Sequence, residues 1–209
     1  LIPLIEQRRE QPEDDVISLL ACAELEGQRL SNEEILSFCR LLFPAGSDTT
    51  YKNLGSLLYA ILSTPGMVQR ARAGDAEREA IVQEGLRWQP PTALLPRMCS
   101  RDTQLAQVDI KEGEWVLFGI TGANNDPGVF PEPRVFDPGR KNKNLAFGHG
   151  EHFCLGSHLA RRELEAAIKL LFERFPQMQL AEEPVEIVQA VLRGPRSLRV
   201  RPGEAMVST

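Results

Sequence analysis

This sequence predicts a mainly α-helical fold with a minor β-sheet, and three observations carry that prediction. Apolar residues recur at helical spacing over several long stretches. Only two short stretches before the tail read as strands, and a Pro- and Gly-rich segment ahead of the last helix has neither periodicity.

The elements follow in order. After Pro12, the stretch EDDVISLLACAELEG sets Val16, Leu19, Leu20 and Ala23 at helical spacing, with acidic residues at its start and Gly27 at its end. It predicts one amphipathic helix. Ser31 and Glu34 form a capping-box pattern that opens a second helix, through Ile35, Phe38, Leu42, Leu54, Leu57, Leu58 and Ile61 to a stop at Thr64-Pro65-Gly66. At 1.5 Å per residue that helix is about 45 to 50 Å long, enough to cross a domain. A third helix spans about Asp75 to Trp88 and is halted by Pro90-Pro91. TALLPRM and EWVLFGI read as strands, and the chain from Ala123 to about Gly150 reads as irregular. The last long helix starts near Cys154 and carries a core stripe of Leu159, Ala160, Leu164, Ala167, Ile168, Leu171, Phe172 and Phe175. Short strands are expected around MQLAEEPVEIV and SLRVRP.

Composition narrows the function. With 209 residues, 42% hydrophobic and 25% charged, the chain reads as a single globular domain over 1–209. A net charge of -5 argues against nucleic acid as a partner, because phosphate contact requires a basic surface. No apolar run of eighteen residues is present, so no membrane span is expected. Cys22, Cys39, Cys99 and Cys154 lie far apart with no C-x-x-C pair, which predicts reduced thiols and a cytoplasmic setting.

The chemistry is concentrated in AFGHGEHFCLGSHLARRELEAAI, which opens at Ala146 and holds all three histidines and Cys154 within ten residues. A thiolate is an anion, and the start of a helix offers free N–H groups and a favourable dipole to hold one. Gly148, Gly150 and Gly156 remove Cβ atoms on both sides of Cys154 and permit close approach of a broad flat surface, with Phe147 and Phe153 beside it. Haem needs one axial thiolate, room for a planar ring and partners for its propionates, for which Arg97 and His152 are candidates.

Plainer readings compete. Cys154 as a buried structural cysteine accounts for the sulfur and leaves the glycine spacing unexplained. His149, His152 and His158 with Cys154 are the donor types that zinc prefers. Glu84 and Arg87, three residues apart on a helix, suit a solvated pair worth about 0.2 to 0.5 kcal/mol. Asp48 and Thr49 suit the wet side of a helix, yet their neighbours are apolar, and Pro44 with Gly46 is expected to disrupt the hydrogen-bond ladder just before them.

The pattern F-x-x-G-x-x-x-C-x-G, here Phe147, Gly150, Cys154 and Gly156, resembles the cysteine loop of the cytochrome P-450 family of haem-thiolate monooxygenases. Three further motifs stand in that family's order: AGSDTT (Ala45 to Thr50), E-x-x-R as Glu84 and Arg87, and FPEPRVFDPGR (Phe130 to Arg140). The resemblance runs from about residue 10 to 201, and His152 with LARRELE is similar to the soluble bacterial branch. In one departure, Val135 stands where many relatives carry arginine, and Arg134 lies one place earlier, grouped here with Glu84 and Arg87 as the structural network.

The resemblance implies the C-terminal portion of that fold, with the N-terminal half absent and the long helix near Thr49 exposing apolar surface as a result. It implies haem b with Cys154 as iron ligand, and Arg97, Phe147, Gly148, His152, Gly156 and Ala160 around the cofactor. Asp48 and Thr49 are the implied proton-handling pair, acting on dioxygen and a small organic substrate. No dinucleotide fingerprint is present, because GHGEHFCLG fails G-x-G-x-x-G, so electrons are expected from a partner. Residues 140–174 hold seven Lys or Arg against four Glu, a basic face suited to an acidic ferredoxin or flavodoxin. A zinc-stabilised binding module and a non-catalytic remnant of an oxygenase stay open beside this reading.

Overall fold

The computed structural model describes residues 1–141, 143–181, 185–188 and 190–206. The chain divides into two compact units, Leu1–Asp48 and Thr49–Thr209.

In the first unit, α1 (Ile2–Glu10) and α2 (Val16–Cys22) precede a hairpin of β1 (Glu24–Leu25) and β2 (Gln28–Arg29), after which α3 (Asn32–Ser63) begins. Asp15 caps α2 by accepting the Ser18 N–H at 2.7 Å. The helix expected to reach Gly27 ends at Cys22 instead, because Glu26 (φ 52°) and Gly27 (φ 78°) make the two-residue turn of the hairpin. Helix α1 escapes the sequence reading, since its apolar residues crowd into the first turn and leave no periodic stripe. Arg9 on α1 donates to the carbonyls of Ala21 and Leu30 and to Asn32 Oδ1, so one side chain joins three elements over the small core of Ile5, Ala21 and Ile35. The capping box forms as expected: Ser31 N–H donates to Glu34 Oε2 at 2.7 Å, and Glu34 N–H to Ser31 Oγ at 3.2 Å. Helix α3 runs without interruption through Pro44, where a break is expected; proline removes one donor while its neighbours keep theirs. Leu41 and Phe43 stand exposed on it.

The second unit opens inside α3 and continues through α4 (Met67–Ala73), α5 (Asp75–Trp88), β3 (Leu94–Met98), β4 (Thr103–Leu105), β5 (Val108–Ile110), β6 (Trp115–Gly119) and α6 (Ile120–Asn124). A single 3-10 turn (Gly150–His152) then leads to α7 (Ser157–Arg174) and the short strands β7 (Gln179–Leu180), β8 (Ile187–Val188), β9 (Gly194–Pro195) and β10 (Val200–Arg201). Its core is the meeting of four helices: Leu57, Ala60 and Ile61 of α3, Met67 and Ala71 of α4, Ile81, Val82 and Leu86 of α5, and Leu164, Ile168 and Phe172 of α7. Helices α3 and α5 come close because Gly85 has no side chain; a Cβ there would lie 2.5 Å from Leu57 Cδ1.

The two expected strands pair with each other, β3 antiparallel to β6 with Arg97 opposite Val116. The minor sheet is a set of separate two-stranded ladders, including β10–β7 and β8–β9 in the tail. Residues 182–184, part of the expected strand region MQLAEEPVEIV, lie outside the described residues.

Candidate functional site

The site is built on a buried ion network. Glu84 and Arg87 share one face of α5, and both are fully buried, so the solvated-pair reading does not apply. Arg87 Nε and Nη2 donate to the two Glu84 oxygens at 2.8 and 2.7 Å, the paired geometry that makes guanidinium–carboxylate contacts strong. Its remaining donors hold the carbonyls of Asn124 (3.0 Å), Pro133 (2.9 Å) and Val135 (3.2 Å), and its guanidinium lies 5.4 Å from the Phe130 ring centroid. One buried side chain thereby gathers the irregular segment against α5.

Arg140, and not Arg134, brings the third charged side chain to this network. Its Nε lies 3.4 Å from Glu84 Oε1, which also accepts the Asp137 N–H at 3.0 Å. Arg140 further donates to the carbonyls of Pro131 and Glu132. Arg134 contributes its backbone instead: its carbonyl accepts Trp88 Nε1–H at 2.8 Å, between two carbonyls that serve Arg87. Glu132 (φ 49°) and the Val135 N–H to Glu132 carbonyl bond turn the chain there, so three consecutive carbonyls reach α5.

From this platform the chain passes to the cysteine loop. Asn124 Oδ1 accepts the Leu145 N–H at 2.7 Å, and Asn144 Nδ2 donates to the Gln83 carbonyl at 3.3 Å. Gly148 (φ 72°) and Gly150 (φ 78°) take left-handed backbone that a side chain would strain. Between them His149 is extended, and Phe153 N–H closes the 3-10 turn on the Gly150 carbonyl. Cys154 N–H then donates back to the Phe147 carbonyl at 2.9 Å, and the Cys154 carbonyl accepts Ser157 N–H at 3.2 Å. Helix α7 therefore begins three residues after Cys154, with Gly156 at its N-cap.

Cys154 is half-buried, and among the described residues its Sγ makes no hydrogen bond. The Phe147 and Phe153 rings meet at 6.3 Å, and Phe153 and Leu155, the chain neighbours of Cys154, are exposed. A Cβ on Gly150 or Gly156 would meet nothing within 4 Å. One cysteine sulfur just ahead of a helix, open glycines and exposed apolar side chains fit a single sulfur ligand to a flat apolar ring. They do not fit zinc: among the described residues no three His, Cys, Asp or Glu side chains gather as a metal site.

Of the other predicted residues, Arg97 is exposed on β3 with Nη1 donating to the Pro96 carbonyl, His152 is exposed at the end of the 3-10 turn, and Ala160 is half-buried in the first turn of α7. Asp48 and Thr49 are consecutive and half-buried on α3, closing the first unit and opening the second. Arg140 and Asn124 were not singled out from the sequence; the closing arginine of FPEPRVFDPGR is the one signal that marks the former.

Comparison with known proteins agrees with this geometry. The profile of the family described as Cytochrome P-450 matches residues 78–200. The putative cytochrome P-450 YjiB of Bacillus subtilis is 41% identical over 200 residues, covering 95% of this chain and 50% of that protein. The solved structure of the Bacillus subtilis bacillaene polyketide synthase cytochrome P-450 PksS superposes with a TM-score of 0.88 at 37% identity, covering 95% of this chain and 52% of that one. That of CYP109E1 from Bacillus megaterium, in complex with testosterone, gives 0.86 at 35% identity, covering 97% and 57%. The chain thus spans about half the length of the relatives that it matches. No described helix is long and apolar enough to cross a membrane.

Proposed function

This chain belongs to the cytochrome P-450 family, and on that premise we propose that it carries the thiolate ligand and the proton-handling pair of a haem monooxygenase. The observation that carries the reading is Cys154, half-buried at the start of α7 in a loop shaped by the left-handed Gly148 and Gly150. Haem b bound there supplies the oxidising chemistry: with dioxygen, two electrons and two protons, one oxygen atom enters a C–H or C=C bond of the substrate and the other leaves as water.

The chain's own residues do the rest. Cys154 would supply the sulfur ligand to the iron from the loop that leads into α7. Phe147, Gly148, Gly156 and Ala160 would border the ring, while Arg97 and His152 would donate to its propionates. The Thr49 hydroxyl holds and hands on a proton, and the Asp48 carboxyl restores it from solvent. Electrons arrive from a ferredoxin or flavodoxin drawn to the basic stretch of residues 140–174, in the cytoplasm. The substrate class is a small organic molecule, supported by the steroid held in one solved relative.

The test is optical. The full-length protein is loaded with haem, reduced and exposed to carbon monoxide, as wild type and as Cys154→Ala. The wild type is expected to give a thiolate-type spectrum that the variant loses. A wild type that takes zinc and shows no haem band, or a variant that keeps the thiolate-type spectrum, removes Cys154 from this role.

A further inference from the structure

Two adjacent arginines follow the cysteine loop on α7, and they live in different surroundings. Arg162 is a solvated helix charge, with a side chain 83% exposed that pairs with Glu165 three residues on. Arg161 is partly buried, and its guanidinium carbon lies 4.6 Å from the centroid of the Phe147 ring. Its Nε is fully buried and, among the described residues, has no hydrogen-bond partner. Burying that N–H unpaired is unfavourable, and an arginine with a free rotamer would turn it out to water. Arg161 holds the position, and what it gains there is the face of one aromatic ring.

We propose that Arg161 is a positioning residue for Cys154, acting through Phe147. The contacts form a closed circuit. The Phe147 carbonyl accepts the Cys154 N–H at 2.9 Å, and the Cys154 carbonyl accepts the first N–H of α7. Helix α7 then carries Arg161 back onto the Phe147 ring. Phe153 packs on the same ring at 6.3 Å. A loop with two left-handed glycines has few restraints of its own, and the stacked guanidinium supplies one from outside it. The effect falls on the residue next to which the ring's backbone is bonded, namely Cys154, and so on the direction of its sulfur. The inference goes beyond the haem reading, because the contact involves only side chains and backbone of this chain.

The experiment is amide hydrogen exchange on the full-length protein as purified, whatever it holds, resolved at Cys154 and along α7. Arg161→Ala is expected to speed exchange at Cys154 by about two- to five-fold, the size of one cation–π contact at a partly exposed site. Amides from Leu164 to Ile168 are expected to stay unchanged, since alanine is a better helix former than arginine. Arg161→Lys, which keeps a cation over the ring, is expected to restore the wild-type rate. Phe147→Leu combined with Arg161→Ala is expected to do no more than Phe147→Leu alone, because losing the ring already removes the contact. An unchanged Cys154 rate in Arg161→Ala, an acceleration spread evenly along α7, a lysine variant that fails to rescue, or additive variants would each overturn the proposal. A protein that binds no haem yet gives the expected exchange pattern separates this inference from the functional reading.

Discussion

At the scale of the residue, Glu84 governs the region behind the cysteine loop. A fully buried carboxylate must be paired, and here it takes both oxygens of charge to Arg87, the Asp137 N–H and Arg140. Glu84→Ala strands two cations against α5 and is expected to cost about 3 to 5 kcal/mol in denaturant unfolding. Arg140→Ala is expected to cost about 2 to 3 kcal/mol, as loss of a charged hydrogen-bonding group. Arg134→Ala is expected to stay within about 0.5 kcal/mol, since its side chain is exposed and alanine keeps the carbonyl that Trp88 holds. Equal losses at 134 and 140 would refute this division. Glu84 and Arg87 were legible in the sequence because helical spacing puts them on one face; the third partner was not, because an irregular segment has no period from which to read a side chain's direction. Thr49 gives a functional prediction at the same scale. Thr49→Ala in the full-length protein is expected to leave haem content intact while diverting reducing equivalents to peroxide or water, because protons then reach the reacting oxygen out of step. Product formed per reduced nicotinamide consumed is the measurement, and an unchanged ratio takes Thr49 out of the relay.

At the scale of the element, caps decide where helices begin. The Ser31–Glu34 box was readable directly, since its two residues sit three apart before an apolar run. The α2 cap was not, because Asp14 and Asp15 offer two equal candidates in one acidic run, and the structure selects Asp15. The Ser18 N–H bond, and then Arg8, lower the Asp15 carboxyl to about 2 from its ordinary 3.8. The native state thus favours the ionised form, and its stabilisation is complete above about pH 4, fading as pH falls from 3.8 towards 2. Opening of α2, followed by amide exchange, is expected to rise through that window and to lose this step in Asp15→Asn, which keeps a capping oxygen without the titration. A step that survives in Asp15→Asn belongs to another group. The long helices α3, α5 and α7 were legible for the reason that α1 and α4 were not: only they repeat the apolar stripe over three turns or more. The segment Met67–Ala73 has room for two turns, and its buried residues, Met67 and Ala71, make a single i, i+4 pair.

At the scale of the whole molecule, the question is what its apolar surface does. In the first unit, Leu41 and Phe43 are 69% and 79% exposed on α3. In the second, Leu155 and Leu159 stand exposed around the start of α7, and the β3–β6 pair sets Met98 opposite Trp115 and Pro96 opposite Leu117. Residues two apart on a strand share a face, so Trp115, Leu117, Met98 and Pro96 form one exposed apolar surface on a ladder of only two strands. Single exposed leucines are ordinary in soluble monomers, whereas clustered aromatic and aliphatic side chains with an open strand edge mark surfaces that seek cover. The exposed cluster on the strand pair was invisible in the sequence, because alternation predicts two faces and not which of them is covered. These 209 residues produced alone are therefore expected to self-associate, with sedimentation velocity showing species above the monomer at micromolar concentration and a mild detergent dispersing them. Lys or Glu at positions 115 and 117 should shift the distribution towards monomer without altering the helical signal, since both side chains are outside the core. A monodisperse monomer of the unmodified 209 residues would show that the exposed face carries no drive to associate, and that the chain is stable with its strand pair open to water.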